Sequence, residues 1–250
     1  MLDHNTISKL KQMKLSVMAT AFQEQMKPNS VELSFGERVG LMVDAEFISR
    51  HNNRLKRLMR QAGFSMPEAC LENIEYHPDR DLDKPLITRL GTGNYIEEHH
   101  NIIILGATGG GKTYIANAFG VSAARNFIPV KYVRLPEMLA ELAIARMDGS
   151  YRKIAKLYRT VKLLIIDEWL LTPLQDADVK ELLEIMEARY KKASTIFCSQ
   201  YDVGGWHTQL GGGPIADAIC DRIIHNSHKL VIASDRADSV SMRQRKGISS

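Results

Sequence analysis

The chain has 250 residues, 44 % of them hydrophobic and 25 % charged, and a formal net charge of only +4. That is ordinary for a soluble globular protein with a real core. It excludes an obvious polycation, so any claim on nucleic acid has to rest on how charge is distributed rather than on its total.

No apolar run approaches the about 20 residues that a membrane span needs. The start, Met1 to Asn5, lacks the basic-then-apolar order of a signal peptide. Cys70, Cys198 and Cys220 are odd in number, widely spaced and without a CxxC, which points to reduced thiols in a cytoplasmic protein rather than a disulfide frame or zinc site. His51, His77, His99, His100 and His207 show no metal-ligand spacing either.

Apolar residues Ile7, Leu10, Met13, Val17, Ala21 and Met26 recur near helical spacing and predict one amphipathic helix over residues 6–27. Pro28-Asn29-Ser30 ends it. Ser34 then stands three residues before Glu37, a capping-box spacing that starts a second helix, from Phe35 to about His51. A third helical piece, Asn52 to Ala62, stops at Gly63 and is strongly basic. Arg50, Arg54, Arg57 and Arg60 share one face, with Lys56 nearby, leaving Leu55, Leu58, Met59 and Ala62 to pack. Such a face suits a phosphate backbone, and it equally suits a solvated helix; composition leaves both open.

Leu71 to Tyr76 reads as an extended lead-in, of the kind that lines an adenine pocket. Residues 77–98 are rich in Pro, Asp and Gly and read as a junction. The expected organisation is a helical domain over 1–68 that grips DNA or a partner, a linker and lead-in over 69–98, and a nucleotide domain over 99–250.

Ile102 to Leu105 reads as a buried strand running into Gly106-Ala107-Thr108-Gly109-Gly110-Gly111-Lys112-Thr113, and from Tyr114 the chain turns helical. Strand, GxxxxGK[ST], helix is the context that identifies a phosphate-binding loop. Glycines let backbone N–H groups wrap a polyphosphate, and the helix N-terminus adds partial positive charge. Lys112 would reach the β- and γ-phosphates of ATP, and the Thr113 hydroxyl would ligate Mg²⁺.

Beyond the loop, strands at 130–134, 163–166, 195–198 and 229–233 alternate with helices. The helices cover Pro136 to Tyr158 with a break at 148–150, Asp176 to Lys192, and Ile215 to Asn226; a glycine-rich loop over 204–213 precedes the last. Five strands with helical crossovers predict an α/β fold with a parallel sheet covered on both faces. The second of those later strands ends in Asp167-Glu168. Asp167 would hold Mg²⁺ opposite Thr113, and Glu168 would orient and deprotonate a water attacking the γ-phosphate.

With these residues in place the chain resembles the AAA+ P-loop ATPases. Within them it resembles the IstB branch, the ATP-binding helpers of insertion-sequence transposition, related to the DnaC and DnaI helicase loaders. The resemblance runs over nearly the full length. It is carried by Ala45-Glu46 through Gly63-Phe64, the Gly106–Thr113 loop, Leu163–Trp169, Ser199-Gln200, Trp206, Ala218 to Ile223, and Ser241-Met242-Arg243. It implies that Ser199 or Gln200 reads the γ-phosphate at the sensor-1 position. It implies that Arg222 is an arginine finger reaching a neighbouring subunit, and that Arg243 is the sensor-2 residue. The residues themselves leave Arg222 free to pair with Asp217 or Asp221 on its own helix, and Arg243 free to belong to a basic tail with Arg245 and Lys246. Trp206 reads as a packing residue.

A second basic stretch holds Arg146, Arg152, Lys153, Lys156, Arg159 and Lys162 against the single acid Asp148. In assembled AAA+ proteins the resemblance places this region at the central channel, so the residues would follow double-stranded DNA without reading its sequence. The resulting expectation is an ATPase that assembles as a homo-oligomer on duplex DNA, hydrolyses ATP, selects or remodels a target and recruits a cognate transposase. The alternatives are a helicase loader acting on a replicative helicase and a nucleotide-switched scaffold with negligible turnover.

Overall fold

The amphipathic start of the chain forms two helices rather than one in the computed structural model, which describes residues 2–26 and 33–232. Helix α1 (Leu2–Gln12) stops at Lys14, whose φ is +60°. The Lys14 N–H returns to the Lys11 carbonyl and the Leu15 N–H to the Leu10 carbonyl, each at 2.9 Å. This is a Schellman stop, and Leu10 and Leu15 make the apolar contact that accompanies it. Periodicity could not show the break, because α2 (Ser16–Gln25) resumes almost in phase.

The Glu46 carboxylate caps α2, accepting from the N–H groups of Val17 and Met18 at 3.0 Å. Helix α3 (Phe35–Ala62) begins with the expected reciprocal bonds between Ser34 and Glu37. It then runs unbroken through His51, Asn52 and Asn53, which lower helix propensity only slightly and contain no Gly or Pro. It ends at Gly63, φ +68°. The chain divides into two units within this helix, one up to Arg57 and one from Leu58 onward.

In the second unit, Leu71–Asn73 is a short 3₁₀ turn rather than an extended strand. The stretch 77–98 is not a bare linker. It holds a 3₁₀ turn (Pro78–Arg80) and helices α4 (Lys84–Gly91) and α5 (Asn94–Glu97). Its Asp and Pro are helix-starting residues: the Asp83 side chain accepts from the Leu86 N–H, and Pro85 lies in the first turn. Ile87, Leu90, Tyr95 and Ile96 bury the helices' inner sides.

There follow β1 (Asn101–Gly106), α6 (Lys112–Arg125), β2 (Val130–Arg134), α7 (Leu135–Asp148) and α8 (Tyr151–Thr160). Next come β3 (Leu163–Trp169), α9 (Asp176–Arg189), β4 (Ser194–Ser199), α10 (Val203–Gln209), α11 (Gly213–Ile224) and β5 (Ser227–Ile232). Helix α10 occupies part of the expected glycine loop. Asp202 caps it through the Gly205 N–H, and the buried Trp206 anchors it.

All strands pair in parallel in the order β2-β3-β4-β1-β5. Both faces are covered, which is why the central strands are continuous apolar runs. Ile102 and Ile104 pack with α6 and the segment before β1, while Ile103 joins α7 to α11 on the other face. The strand order puts the carboxyl ends of β3, β4 and β1 side by side, the edge where α/β sheets bind ligands.

Arg189 stitches the opposite end of the sheet. It is 2 % exposed and donates to the carbonyls of Tyr158, Val161 and Ser194 and to the Thr195 hydroxyl. Burial pulls its pKa down to about 9, which still leaves it charged at neutral pH. Arg189→Met would strand buried acceptors, so it should cost about 3–5 kcal/mol of unfolding free energy, read in denaturant titrations. A loss under about 1 kcal/mol would show that water replaces the guanidinium.

Candidate nucleotide-binding site

The loop between β1 and α6 is held open by two glycine requirements. A Cβ on Gly106 would come within 3.0 Å of Ile232 on the neighbouring strand, and Gly111 sits at φ +93° as the N-cap of α6. Ala107, Thr108, Gly109 and Gly110 make the turn between them, with the Gly110 N–H bonded to the Ala107 carbonyl at 3.2 Å. Lys112 folds back over the loop and donates to the carbonyls of Gly106 at 2.8 Å and Ala107 at 2.9 Å. Burial lowers the pKa of this amine, partly offset by Cys198 and Asp167 beside it.

Asp167, 5 % exposed, is the joint of the site. Its Oδ2 accepts from the Thr113 hydroxyl at 2.7 Å and from the Tyr132 hydroxyl at 2.9 Å, while Oδ1 accepts from the Glu168 N–H at 2.9 Å. Three elements therefore meet on one carboxylate. Thr113 and Asp167 offer hard oxygen donors one hydrogen bond apart, the donor set that Mg²⁺ takes. Tyr132 was not singled out in the sequence; burial pushes its phenol pKa up, so it remains a donor.

Glu168 owes its direction to an irregular backbone. Between Ile166 and Trp169 strand β3 carries one residue more than β4 opposite, and Glu168 and Leu170 have φ of +55° and +56°. A bulge re-aims side chains at a strand end, and left-handed backbone on a non-glycine residue stores strain that recurs at functional sites. The Glu168 carboxylate turns to Arg134 at the end of β2, whose Nη2 lies 2.8 Å and 2.7 Å from its two oxygens. That bond raises the Arg134 pKa. Arg134 is a second residue the sequence did not reveal, because only the β2–β3 register, Arg134 opposite Asp167, brings it here.

At the end of β4 the two sensor-1 candidates differ. Ser199 is 1 % exposed and its hydroxyl is fully occupied, donating to the Trp169 carbonyl and accepting from the Tyr201 N–H and the Trp206 indole. Gln200 next to it is exposed. Trp206 packs edge-on against Trp169 and, through its indole N–H, ties this corner to Ser199.

Arg222 on α11 pairs with neither Asp217 nor Asp221. It donates to Glu187 of α9 at 2.8 Å and to the Ala218 carbonyl at 2.9 Å; Asp217 and Asp221 instead face His207 and His225. Arg243, with its Ser241-Met242 context, lies outside the described residues. In the basic stretches, Arg146 is bonded to Glu181, and Arg159 to Glu181 and Glu184, whereas Arg152, Lys153 and Lys156 are exposed on α8. On α3, Arg50 is spent on Glu46 and the Lys14 carbonyl, while Arg54, Lys56, Arg57 and Arg60 are exposed. Among the described residues no group of His, Cys, Asp and Glu could by itself hold a metal.

The family described as IstB-like ATP binding protein matches residues 8–248. An insertion sequence ATP-binding protein of Sinorhizobium fredii is 39 % identical over 236 residues, covering 94 % of this chain and 96 % of that one. The ATP-binding protein of an insertion sequence in Pseudomonas fluorescens is 40 % identical over 201 residues, 80 % of this chain and 87 % of its own. Among solved structures, DnaI superposes with a TM-score of 0.57 at 18 % identity, covering 67 % of this chain and 92 % of that one, a likeness of fold.

A triphosphate bound in this loop would draw on Lys112 in its charged form. The ATP-induced rise in thermal midpoint should therefore shrink as pH rises, starting below the pH at which an ordinary lysine titrates, because the folded-state pKa is lowered. Lys112→Met should show little ATP-induced shift at any pH. A wild-type shift that is flat into the alkaline range would put the anion elsewhere.

Proposed function

Because this chain belongs to the IstB-like ATP binding protein family, we propose that it is the ATP-driven helper of a transposition reaction, acting on duplex DNA alongside a transposase. The observation that carries the reading is the Asp167 joint. It puts the phosphate loop, a Mg²⁺-ready oxygen pair and the acid Glu168 at one sheet edge. The near-full-length match to ATP-binding proteins of insertion sequences supports transposition over helicase loading.

In this reading Gly106 to Tyr114 cradle the triphosphate, and Lys112 leaves its two carbonyls for the β- and γ-phosphates. Thr113 and Asp167 hold Mg²⁺, which when bound neutralises charge developing on the phosphates. Glu168 leaves Arg134 to orient the attacking water. Gln200, rather than the fully occupied Ser199, reads the γ-phosphate, while Ser199 holds the turn that presents it. Arg222 exchanges Glu187 for the phosphate of a neighbouring subunit, and Arg243 closes on the nucleotide. The basic residues of α3 and α8 follow the DNA backbone, and residues 1–68, 69–98 and 99–250 divide DNA or partner binding, lead-in and ATPase work. The protein acts in the cytoplasm as a homo-oligomer with ATP at its subunit interfaces.

Both Glu168 and Arg222 are paired with an opposite charge of their own chain at part-exposed positions, 29 % for Glu168 and 28 % for Arg222. Pairs of that kind are worth about 0–1 kcal/mol, little against the binding of a triphosphate and Mg²⁺. They quiet the isolated chain without locking it.

Glu168→Gln should lower phosphate release at least about 100-fold and leave a long-lived ATP-bound assembly on duplex DNA, seen by sedimentation. A chain that stays monomeric on DNA with or without ATP would sink the assembly reading. Arg222→Ala should cut hydrolysis by about 1,000-fold with nucleotide affinity nearly unchanged. Lost affinity instead would place Arg222 in its own subunit's pocket.

A further inference from the structure

The chain between α3 and β1 runs back along α6 toward the phosphate loop. Phe64 packs on Gly120, where a Cβ would lie 2.6 Å from its ring. The Met66 N–H donates to Asn117 Oδ1 at 3.3 Å, and Asn117 Nδ2 donates to Ser65 Oγ at 3.1 Å. The Cys70 N–H donates to the Tyr114 hydroxyl at 3.3 Å. At the end of this path Arg80, 6 % exposed, donates from Nη1 to the Glu75 carbonyl at 2.6 Å and from Nη2 to the Gly110 carbonyl at 2.8 Å.

The last bond falls on a sensitive peptide. In a trans peptide the carbonyl of one residue and the N–H of the next point in opposite directions. Fixing the Gly110 carbonyl on Arg80 therefore turns the Gly111 N–H away from the guanidinium. The peptide lies between two residues without Cβ, so little steric resistance opposes its turning over. Turned over, it would offer a carbonyl where phosphate oxygens need a donor. A charge-assisted bond, about twice as strong as a neutral one, is suited to suppress that flip.

We propose that Arg80 is a positioning residue for the phosphate loop: by holding the Gly110 carbonyl outward it keeps the Gly111 N–H directed at bound phosphate. The assignment rests on the nucleotide-site reading above. It makes the segment before β1 part of the phosphate grip. Since the peptide would grip ground state and transition state alike, its loss falls on affinity and spares turnover at saturation.

The test is the affinity for ATP and for ADP, with Mg²⁺, of the full chain carrying Arg80→Met or Arg80→Lys, beside thermal midpoints without nucleotide. Arg80→Met should weaken both nucleotides about tenfold or more and leave kcat at saturating ATP within about threefold. Arg80→Lys, which keeps one charged donor, should stay within about threefold of wild type. If the Met protein fails to fold, Arg80→Gln, with a neutral donor, takes its place and should bind both nucleotides more weakly than Arg80→Lys. The proposal is overturned if the neutral variant binds ADP as tightly as wild type, or if kcat collapses while affinity holds. It is overturned too if the Lys variant loses as much affinity as the neutral one. A wild-type chain that binds neither nucleotide would instead sink the site reading, and this assignment with it.

Discussion

A single carboxylate decides how the upper edge of the sheet is built. Asp167 accepts from α6 through Thr113, from β2 through Tyr132 and from its own neighbour's N–H, and it does so almost fully buried. An ionised acceptor removed from water is tolerable only when its lone pairs are met by donors. The loop, the sheet end and the acid pair are consequently not independent. Moving α6 would unpair Asp167, and moving β2 would take both Tyr132 and the Arg134 that restrains Glu168.

Beside that joint, and for Arg222 toward the opposite end of the sheet, charged groups are held by partners of their own chain. Lys112 rests on two carbonyls, Glu168 on Arg134 and Arg222 on Glu187. Each arrangement satisfies a charge locally, and each partner is weaker than a triphosphate with its cation would be. On the proposed function, a chain without nucleotide is thus held in a neutralised arrangement that costs little to leave. The bulge at Asp167-Glu168 serves the same end, since it points two consecutive acids to one edge where a regular strand would send them to opposite faces.

Much of this was legible beforehand. The phosphate loop could be read because its chemistry demands glycines and a Lys-Thr pair at fixed spacing between a strand and a helix. The parallel sheet could be read because strands covered on both faces must be continuous apolar runs, and β2 stands at 130–134 as expected. Helix ends set by single residues were harder. Lys14 breaks the first helix with a left-handed backbone that no residue type announces, and Asp83 with Pro85 starts a helix where composition suggested a linker.

What the sequence alone supplied was two local motifs on which the proposed chemistry rests: the glycine loop ending in Lys112 and Thr113, and Asp167 beside Glu168. What only the tertiary structure decided was which residues attend that chemistry from elsewhere. Tyr132 and Arg134 arrive through the β2–β3 register, Arg80 through a segment folded back along α6, and Glu187 through the packing of α9 on α11. The end of β3 and Trp206 of α10 occupy the Ser199 hydroxyl, while Gln200 is left exposed. Spacing along a chain encodes contacts within one turn or one strand, whereas these depend on strand order and helix placement, which the burial of the whole core settles at once.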